Sequence, residues 1–235
     1  MSNPLITPEL FGSFPLFDSL STQELSILTP CSRLVSINRR GVLYQIGDKS
    51  EQVYFLFEGR LQGVDFTLDG REVGLFFVEP KDYCGDLGLF DRGPQSETVI
   101  ATVKSMVLAV PSDELRSIIF SNPTTVARAT ERVAQRVRAM TAQRAILAIP
   151  DIPQRVCAQL ALLTEQSTIA ASDRRISNPP THQELGIMLN TTRESVTRVF
   201  QRLQNANIVR KESSASLEIL DPEALGHIAE GHSKL

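Results

Sequence analysis

The sequence predicts an α+β protein of two domains, with a strand-rich first half and a helical second half. Short apolar runs separated by turn residues fill positions 14–120, a long helical pattern starts at Asn122, and two short helices with a tight turn occupy 181–210. A chain of 235 residues is long enough for two domains. Its 42% hydrophobic and 22% charged residues are ordinary for a globular protein and argue against a disordered chain.

The first half reads as many short strands, which is typical of a sandwich or barrel. Short helices are expected at 21–28, where Ser21 and Glu24 form a capping box, and at 112–120. Asp69-Gly70 is a strong hairpin signal between two of the strands. The expected strands are 41–44, 53–57, 61–64, 73–78 and 99–103.

A long helix should begin at Asn122, a good cap, with Pro123 in the first helical position. Apolar residues recur every seven positions along it, which favours pairing with a second helix. The alternative is a helix that packs on the sheet of its own chain. It is left open because Thr130 and Arg144, which are not apolar, occupy two of the companion positions of the heptad. The heptad residues are Val126, Val133, Met140 and Leu147. Two prolines within 149–153 end the helix and predict a hinge.

Two capping boxes mark the helices of the second half. Thr181 with Glu184 three residues later predicts the start of one helix, and Thr191 with Glu194 predicts the next. Asn190 tolerates a left-handed backbone and can form the turn between them. This helix-turn-helix pattern is followed by a hairpin-like stretch at 208–220, as in a wing.

The second of these helices has one apolar and one polar face. Its apolar stripe consists of Val196, Val199, Phe200 and Leu203. Arg193, Glu194, Thr197 and Arg198 fall on the other face. Arginine can fork onto guanine and glutamate can accept from cytosine in the major groove. The alternative is a helical hairpin with a solvated charged face.

Charge, cysteine content and hydropathy exclude several classes of protein. The net charge of −3 argues against indiscriminate coating of nucleic acid, although the region 193–211 is locally basic. Cys31, Cys84 and Cys157 are odd in number and far apart, which fits reduced thiols in a cytoplasm. No run approaches the ~20 apolar residues of a membrane span, and the start lacks signal-peptide features, so we expect a cytoplasmic protein without membrane contact.

This order of elements resembles the CRP/FNR family of bacterial transcription regulators over nearly the whole chain. The matching segments are 41–48, 53–59, 85–91, 181–186 and 192–198. The resemblance implies an N-terminal cyclic-nucleotide-binding-type β-roll (a double-stranded jelly roll), a long dimerisation helix and a C-terminal winged helix-turn-helix. It divides the chain into a sensor domain at 1–121, a dimerisation helix and hinge at 122–150, a DNA-binding domain at 151–222 and a tail at 223–235.

The resemblance also assigns DNA contacts. Base-reading residues are Arg193, Glu194 and Arg198, with Thr197 beside them. Residues near the DNA backbone are Thr181, His182, Gln183 and Thr192. This set implies a homodimer that binds double-stranded DNA at an inverted repeat of TGTGA-like half-sites. His182 stands where an arginine is common, so one phosphate contact should be weaker or pH-dependent. RNA polymerase would be a partner if the protein is an activator.

The effector pocket implied by the resemblance comprises Gly85, Asp86, Leu87, Gln95, Ser96 and Thr141. Asp86 could accept from a ribose hydroxyl. Gln95 replaces the arginine that pairs a cyclic phosphate, and Glu97 adds a negative charge, so a cyclic nucleotide is possible but not favoured. Arg92 is a candidate substitute for that arginine. Thr141 could instead face solvent or a partner helix.

Other cofactors leave weaker signals, and the small-molecule effector stays unidentified. Three scattered cysteines cannot hold an iron–sulfur cluster in one protomer, and no metal-ligand spacing is present. Cys84 is the one haem-ligand type near the pocket, and a buried structural cysteine is the commoner role. His227 and His232 read as solvated residues rather than as metal ligands.

The rival interpretation is a cyclic-nucleotide or metabolite-binding module whose helical domain contacts proteins. An enzyme is not expected, because the sequence offers no nucleophile–base pair and no phosphate loop.

Overall fold

The structure, a computed structural model, describes residues 6–67, 70, 72–167, 174–213 and 216–235. It consists of two compact units, Met1–Val137 and Arg138–Leu235. The boundary falls inside the long helix, whereas the sequence suggested that the whole of 122–150 forms a separate segment.

Two antiparallel four-stranded sheets form the β-roll of the first unit, as predicted. One sheet has the order β1 (Arg33–Ile37), β8 (Ser105–Pro111), β3 (Gln52–Glu58) and β6 (Tyr83–Cys84). The other has the order β2 (Val42–Tyr44), β7 (Thr98–Ala101), β4 (Leu61–Phe66) and β5 (Glu72–Val78). The hairpin between β4 and β5 pairs Phe66 with Glu72, although Asp69 of the predicted turn lies outside the described residues.

Short helices pack against one face of the sheet formed by β1, β8, β3 and β6. These are α1 (Pro8–Phe11), a 3₁₀ turn (Pro15–Phe17), α2 (Thr22–Leu28), α3 (Gly88–Asp91) and α4 (Ser112–Ser121). The predicted capping box of α2 is present, with both the Ser21 hydroxyl and the Glu24 carboxylate bonded to backbone N–H groups. Phe11, Phe14 and Phe17 pack with Phe55 of β3 in a buried aromatic cluster, which fixes the N-terminal segment to the sheet.

The long helix is α5 (Pro123–Leu147), and the side chain of Asn122 accepts from the N–H groups of Thr124 and Thr125, as a cap should. Three arginines, spaced four residues apart, pair with carboxylates of the first unit. Arg128 lies 3.3 Å from Asp18, Arg132 is bidentate on Asp82, and Arg136 lies 2.8 Å from Asp86. We call Arg128, Arg132 and Arg136 the arginine ladder.

The first part of α5 packs on the β-roll through the arginine ladder, with Ala129 buried against its core, as the alternative interpretation of the heptad expected. Pairing with a second helix stays a prediction and concerns residues further along the helix. Val137 and Met140 are instead 57% and 51% exposed. A large apolar side chain at half exposure is available for a further contact.

Among the described residues, the second unit has one apolar core, formed by the end of α5, four further helices and a three-stranded sheet. The helices are α6 (Ile152–Ser167), α7 (His182–Met188), α8 (Arg193–Asn205) and α9 (Pro222–Ala229). The sheet has the order β10 (Val209–Ser213), β11 (Ser216–Ile219) and β9 (Arg175–Ser177). The β10–β11 hairpin is the predicted wing.

The segment after residue 222, which the sequence predicted as a polar tail or a short frayed helix, forms helix α9. Asp221 caps it by accepting from the Ala224 N–H at 2.9 Å, and Leu225 and Ile228 are buried in the core of the second unit. The tail therefore belongs to the folded domain. Its two buried apolar residues are too few to reveal a helical period in the sequence.

Candidate nucleic-acid interface and effector pocket

The turn between α7 and α8 is tight, as the sequence predicted. Asn190 has a φ of 48°, in the left-handed region, and the Thr191 N–H donates to the Gly186 carbonyl at 2.9 Å. A Cβ atom at Gly186 would lie 3.0 Å from the Thr191 carbonyl oxygen. The close approach of the two helices therefore requires a residue without a side chain at position 186.

Helix α8 starts one residue later than predicted. Thr192, not Thr191, is the cap, since its hydroxyl accepts from the Ser195 N–H at 3.2 Å. Glu194 consequently takes no part in a capping box. Its carboxylate forms no hydrogen bond or ion pair with any residue that the structure describes, so it is available for an external partner.

The polar face of α8 lies opposite its buried stripe of Val196, Val199, Phe200 and Leu203. Arg193, Glu194 and Arg198 are exposed, and the structure brings them together within the first two turns. Thr197 is partly buried, and its hydroxyl donates to the Arg193 carbonyl at 2.9 Å. We call Arg193, Glu194 and Arg198 the reading set.

His182 bridges the two helices. Its Nδ1 lies 2.9 Å from the Thr197 hydroxyl, which already donates to a carbonyl, so Nδ1 carries the proton and Nε2 remains available. Its ring lies 4.5 Å from the Phe200 ring. Burial lowers the pKa of His182, and the positive charges of Lys211 and Arg193 lower it further. The ring is therefore neutral in the protein alone near pH 7.

The other predicted backbone-contact residues lie at the N-terminal ends of α7 and α8. Thr181 and Glu184 form the predicted capping box, with the Glu184 carboxylate 2.7 Å from the Thr181 N. Gln183 and Thr192 are exposed. Helix N-termini attract anions, so both ends suit phosphate groups.

The effector pocket contains a cation that sequence reasoning missed, Arg136, whose side chain is 11% exposed. Asp86 is only 1% exposed, and its Oδ1 accepts from Arg136 at 2.8 Å. Its Oδ2 is buried and has no hydrogen-bond partner among the described residues. Burial raises the pKa of Asp86, and the Arg136 guanidinium opposes that shift.

Glu97 belongs to the same network. The Tyr44 hydroxyl donates to its Oε1 at 2.9 Å, Arg136 Nη2 lies 3.6 Å from that oxygen, and the Ser96 hydroxyl donates to Oε2. The guanidinium of Arg136 also lies 4.2 Å from the centre of the Phe76 ring. Arg136 therefore supplies the positive charge whose absence the Gln95 substitution suggested. Its charge also balances the negative charge of Glu97. No local signal in the sequence marks Arg136 for this role, because its partner Asp86 is 50 residues away.

The remaining pocket candidates have varied positions. Gln95 is buried, its backbone bonds to Gly47 and Asp48, and its Nε2 would lie 3.1 Å from a Cβ at Gly85. Gly85 has a φ of 78°, which favours glycine. Leu87 is half-buried before α3, and Ser96 is exposed. The exposed residue Thr141 lies on α5 in the second unit.

Thiol chemistry has little support near this pocket. Cys84 is fully buried, and burial, followed by the Asp86 charge, raises the pKa of its thiol. A protonated thiol is a poor ligand and a poor nucleophile. Within the described ranges, no group of three or more His, Cys, Asp or Glu residues could hold a metal ion. None of the helices in the described part of the chain has both the length and the apolar character needed to span a membrane.

Comparison with known proteins identifies both parts of the chain. The cyclic nucleotide-binding domain family matches residues 34–122, and the Crp-like helix-turn-helix domain family matches residues 154–228. The chain belongs to the CRP/FNR family. The protein is a transcription regulator of this type that carries a helix-turn-helix, and DNA binding and dimerisation are expected for the family.

Similar proteins in this family are transcription regulators rather than enzymes. The chain is 25% identical over 222 residues to the CRP-like cAMP-activated global transcriptional regulator of Mycobacterium tuberculosis, covering 94% of this chain and 99% of that one. It is 26% identical over 171 residues to the cAMP-activated global transcriptional regulator CRP of Salmonella typhimurium, covering 72% and 81%.

Two solved structures share the fold of this chain. FixK2 from Bradyrhizobium japonicum has a TM-score of 0.71 at 18% identity, covering 84% of this chain and 96% of that one. A CooA mutant from Carboxydothermus hydrogenoformans has a TM-score of 0.73 at 15% identity, covering 97% and 96%.

Proposed function

We propose that the protein binds an inverted repeat of TGTGA-like half-sites as a homodimer, and that its β-roll modulates the affinity for DNA. The observation that supports this most is the reading set, three charged side chains exposed at the start of one amphipathic helix. Arg193 and Arg198 would fork onto O6 and N7 of guanines, and Glu194 would accept from N4 of a cytosine.

Phosphate contacts would fix the register of α8 in the major groove. Thr181, His182, Gln183 and Thr192 are proposed for this role, because they lie at or beside helix N-termini. His182 would donate from Nε2 only when protonated, since Nδ1 already donates to Thr197.

Dimerisation is proposed through the exposed apolar face of α5. Val137 and Met140 belong to it, and burial of two such side chains against a partner helix is favourable. A two-fold dimer places two reading helices one turn of DNA apart, which an inverted repeat requires.

The proposed effector acts on the bond between Arg136 and Asp86. A ligand with a hydroxyl could donate to the unpartnered Asp86 Oδ2, and an anionic group on the same ligand could compete for Arg136. A cyclic nucleotide has both groups, but its phosphate would have to displace Glu97 from Arg136. Cyclic AMP is therefore the first ligand to test, and the identity of the effector stays open.

The test is fluorescence anisotropy with a labelled TGTGA inverted repeat and a scrambled duplex, each with and without cyclic AMP. We expect tight binding to the repeat alone, and loss of that preference when Arg193→Ala and Arg198→Ala are combined. Arg202→Ala is the matched control, because this exposed arginine lies on the same helix outside the reading set.

The outcomes separate the candidate functions. Equal affinity for the two duplexes, unchanged by the double substitution, would support the rival binding module instead. Specific binding that requires cyclic AMP identifies the effector. Specific binding that cyclic AMP does not change would support the DNA-binding regulator and exclude cyclic AMP as its effector.

A further inference from the structure

Two side chains of the second unit donate hydrogen bonds to the end of α7, where the helix-turn-helix makes its turn. Gln143, near the end of α5, is only 8% exposed, and its Nε2 donates to the Met188 carbonyl at 3.0 Å. Arg155 of α6 donates from Nη1 to the Leu189 carbonyl at 2.7 Å. Met188 is the last residue of α7 and Leu189 is its C-cap, and the final carbonyls of a helix have no intrahelical partner. We call Gln143 and Arg155 the carbonyl clamp.

The guanidinium of Arg155 also binds the chain just beyond α5. Its Nε and Nη2 both donate to the Ile149 carbonyl, at 2.9 and 2.6 Å. Hydrogen bonds from a charged donor are stronger than those between neutral groups, and a positive charge is favourable at the C-terminal end of a helix. One side chain therefore joins the end of α5 to the residue that precedes the left-handed turn at Asn190.

The segment between α5 and α6 is held by further contacts. Pro150 and Pro153 restrict the backbone, because a proline ring fixes φ. The Asp151 carboxylate accepts from the N–H three residues later at 2.9 Å, at the start of α6. Ile146, in the last turn of α5, is buried in the core of the second unit. These contacts oppose the hinge that the sequence predicted at 149–153.

We propose that Arg155 is a positioning residue for DNA recognition, because it fixes the helix-turn-helix to the end of α5. The end of α5, the segment 149–153 and the turn at Asn190 then move as one rigid body rather than about the two prolines. The reading set begins at Arg193, just beyond this turn, so its direction follows that of the end of α5. The proposal rests on the proposed binding of an inverted repeat.

Hydrogen exchange of the full chain without DNA, measured by mass spectrometry, tests the clamp itself. Arg155→Met removes the donors, and Arg155→Lys keeps the charge but loses the planar fork that reaches both carbonyls. We expect exchange about tenfold faster than in wild type both at 148–152 and at 188–192, because the two segments lose one shared donor. Exchange in the wing should not change.

Two further variants calibrate this measurement. Gln143→Leu removes the other bond of the clamp and should accelerate exchange at 188–192 by a smaller factor. Arg202→Met is the matched control, since this exposed arginine of the same unit makes no side-chain contact with any described residue, and it should leave both segments unchanged. Circular dichroism checks that each variant is folded, and Arg155→Lys carries the test if Arg155→Met does not fold.

The spacing of the DNA half-sites tests the positioning role. Anisotropy compares the inverted repeat, with half-sites one turn apart, with the same repeat lengthened by one base pair. A fixed helix-turn-helix accepts one spacing, so wild type should prefer one of the two duplexes. In Arg155→Lys this preference should fall about tenfold, whereas the affinity for a single half-site should fall much less. A general loss of folding would instead lower all three affinities together.

The outcomes separate this proposal from the proposed function. Unchanged exchange in either segment, or faster exchange throughout the second unit, would overturn the clamp. An unchanged spacing preference in a variant whose exchange has changed would overturn the positioning role. If wild type does not distinguish the repeat from a scrambled duplex, the proposed DNA binding fails and the positioning role fails with it, while hydrogen exchange alone decides the clamp.

Discussion

The reading set and the pocket around Arg136 use the same residue types in opposite ways. In the reading set, Arg193 and Glu194 are exposed and form no ion pair with any described residue. In the pocket, Arg136 is paired with two buried carboxylates, those of Asp86 and Glu97. Exposed charges without an internal ion pair are suited to bind an external partner. Charges that are paired within the protein stabilise one arrangement of the pocket until a ligand competes for one of them. This contrast predicts that mutations in the pocket affect stability and mutations in the reading set affect recognition.

The largest expected effect is on stability, from Arg136→Met. Removal of the guanidinium leaves Asp86 and Glu97 buried without their cation, which should cost about 3–5 kcal/mol in the free energy of unfolding. Urea denaturation measures this loss. Arg193→Met, at an exposed site, should change the same quantity by only about 0.5 kcal/mol. Addition of Asp86→Asn to Arg136→Met should restore part of the loss. Equal stabilities of the two single variants would contradict the contrast.

The next effect is on recognition, from Arg198→Ala. Loss of one bidentate contact to guanine should weaken binding to the inverted repeat by about 1–3 kcal/mol. Binding to a scrambled duplex should change much less. Anisotropy titrations at fixed salt measure both affinities, with Arg202→Ala as the control. An equal loss on both duplexes would indicate a phosphate contact rather than a base contact.

A smaller effect tests the observed start of α8. Thr192→Ala removes the cap and should lower the free energy of unfolding by about 1 kcal/mol. Thr191→Ala should cost clearly less, because Thr191 does not cap the helix. Thermal or urea unfolding of the two variants compares them directly. A larger loss in the free energy of unfolding from Thr191→Ala than from Thr192→Ala would instead support Thr191 as the cap, as the sequence predicted.

The smallest effect is a pH dependence of DNA affinity through His182. Its pKa is lowered in the protein alone, and a nearby phosphate would raise the pKa in the complex, so binding takes up a proton. Affinity should rise as the pH falls through the window between the raised and the lowered pKa. The change should stay below about tenfold, and His182→Gln should remove it. Anisotropy across about pH 5.5 to 7.5, one unit either side of an ordinary histidine pKa, measures it. A wild-type profile that matches the variant would exclude this contact.

Local signals predicted much of the second unit and part of the first. The capping boxes at Ser21 and Thr181 and the left-handed turn at Asn190 depend on residues within four positions, so the sequence states them directly. Strand β8 was missed, because the run Met106 to Val110 is apolar without alternation and gives no period of two.

Tertiary contacts account for the rest. Arg136 and Asp86 are 50 residues apart, and only the packing of α5 on the β-roll brings them together. Arg136 is a solvent-facing helix residue as far as its neighbours in sequence can tell. Tyr44 likewise reaches Glu97 across 53 residues. The reading set needed no such contact, since one helix carries all of it.

The arginine ladder also determines how α5 can move on the β-roll. Its members are separated by four residues, close to one helical turn of 5.4 Å. A slide of α5 along its axis by half a turn would separate all three arginines from their carboxylates at once. All three ion pairs are therefore satisfied at the same axial position of α5, and intermediate positions of the helix along its axis are disfavoured.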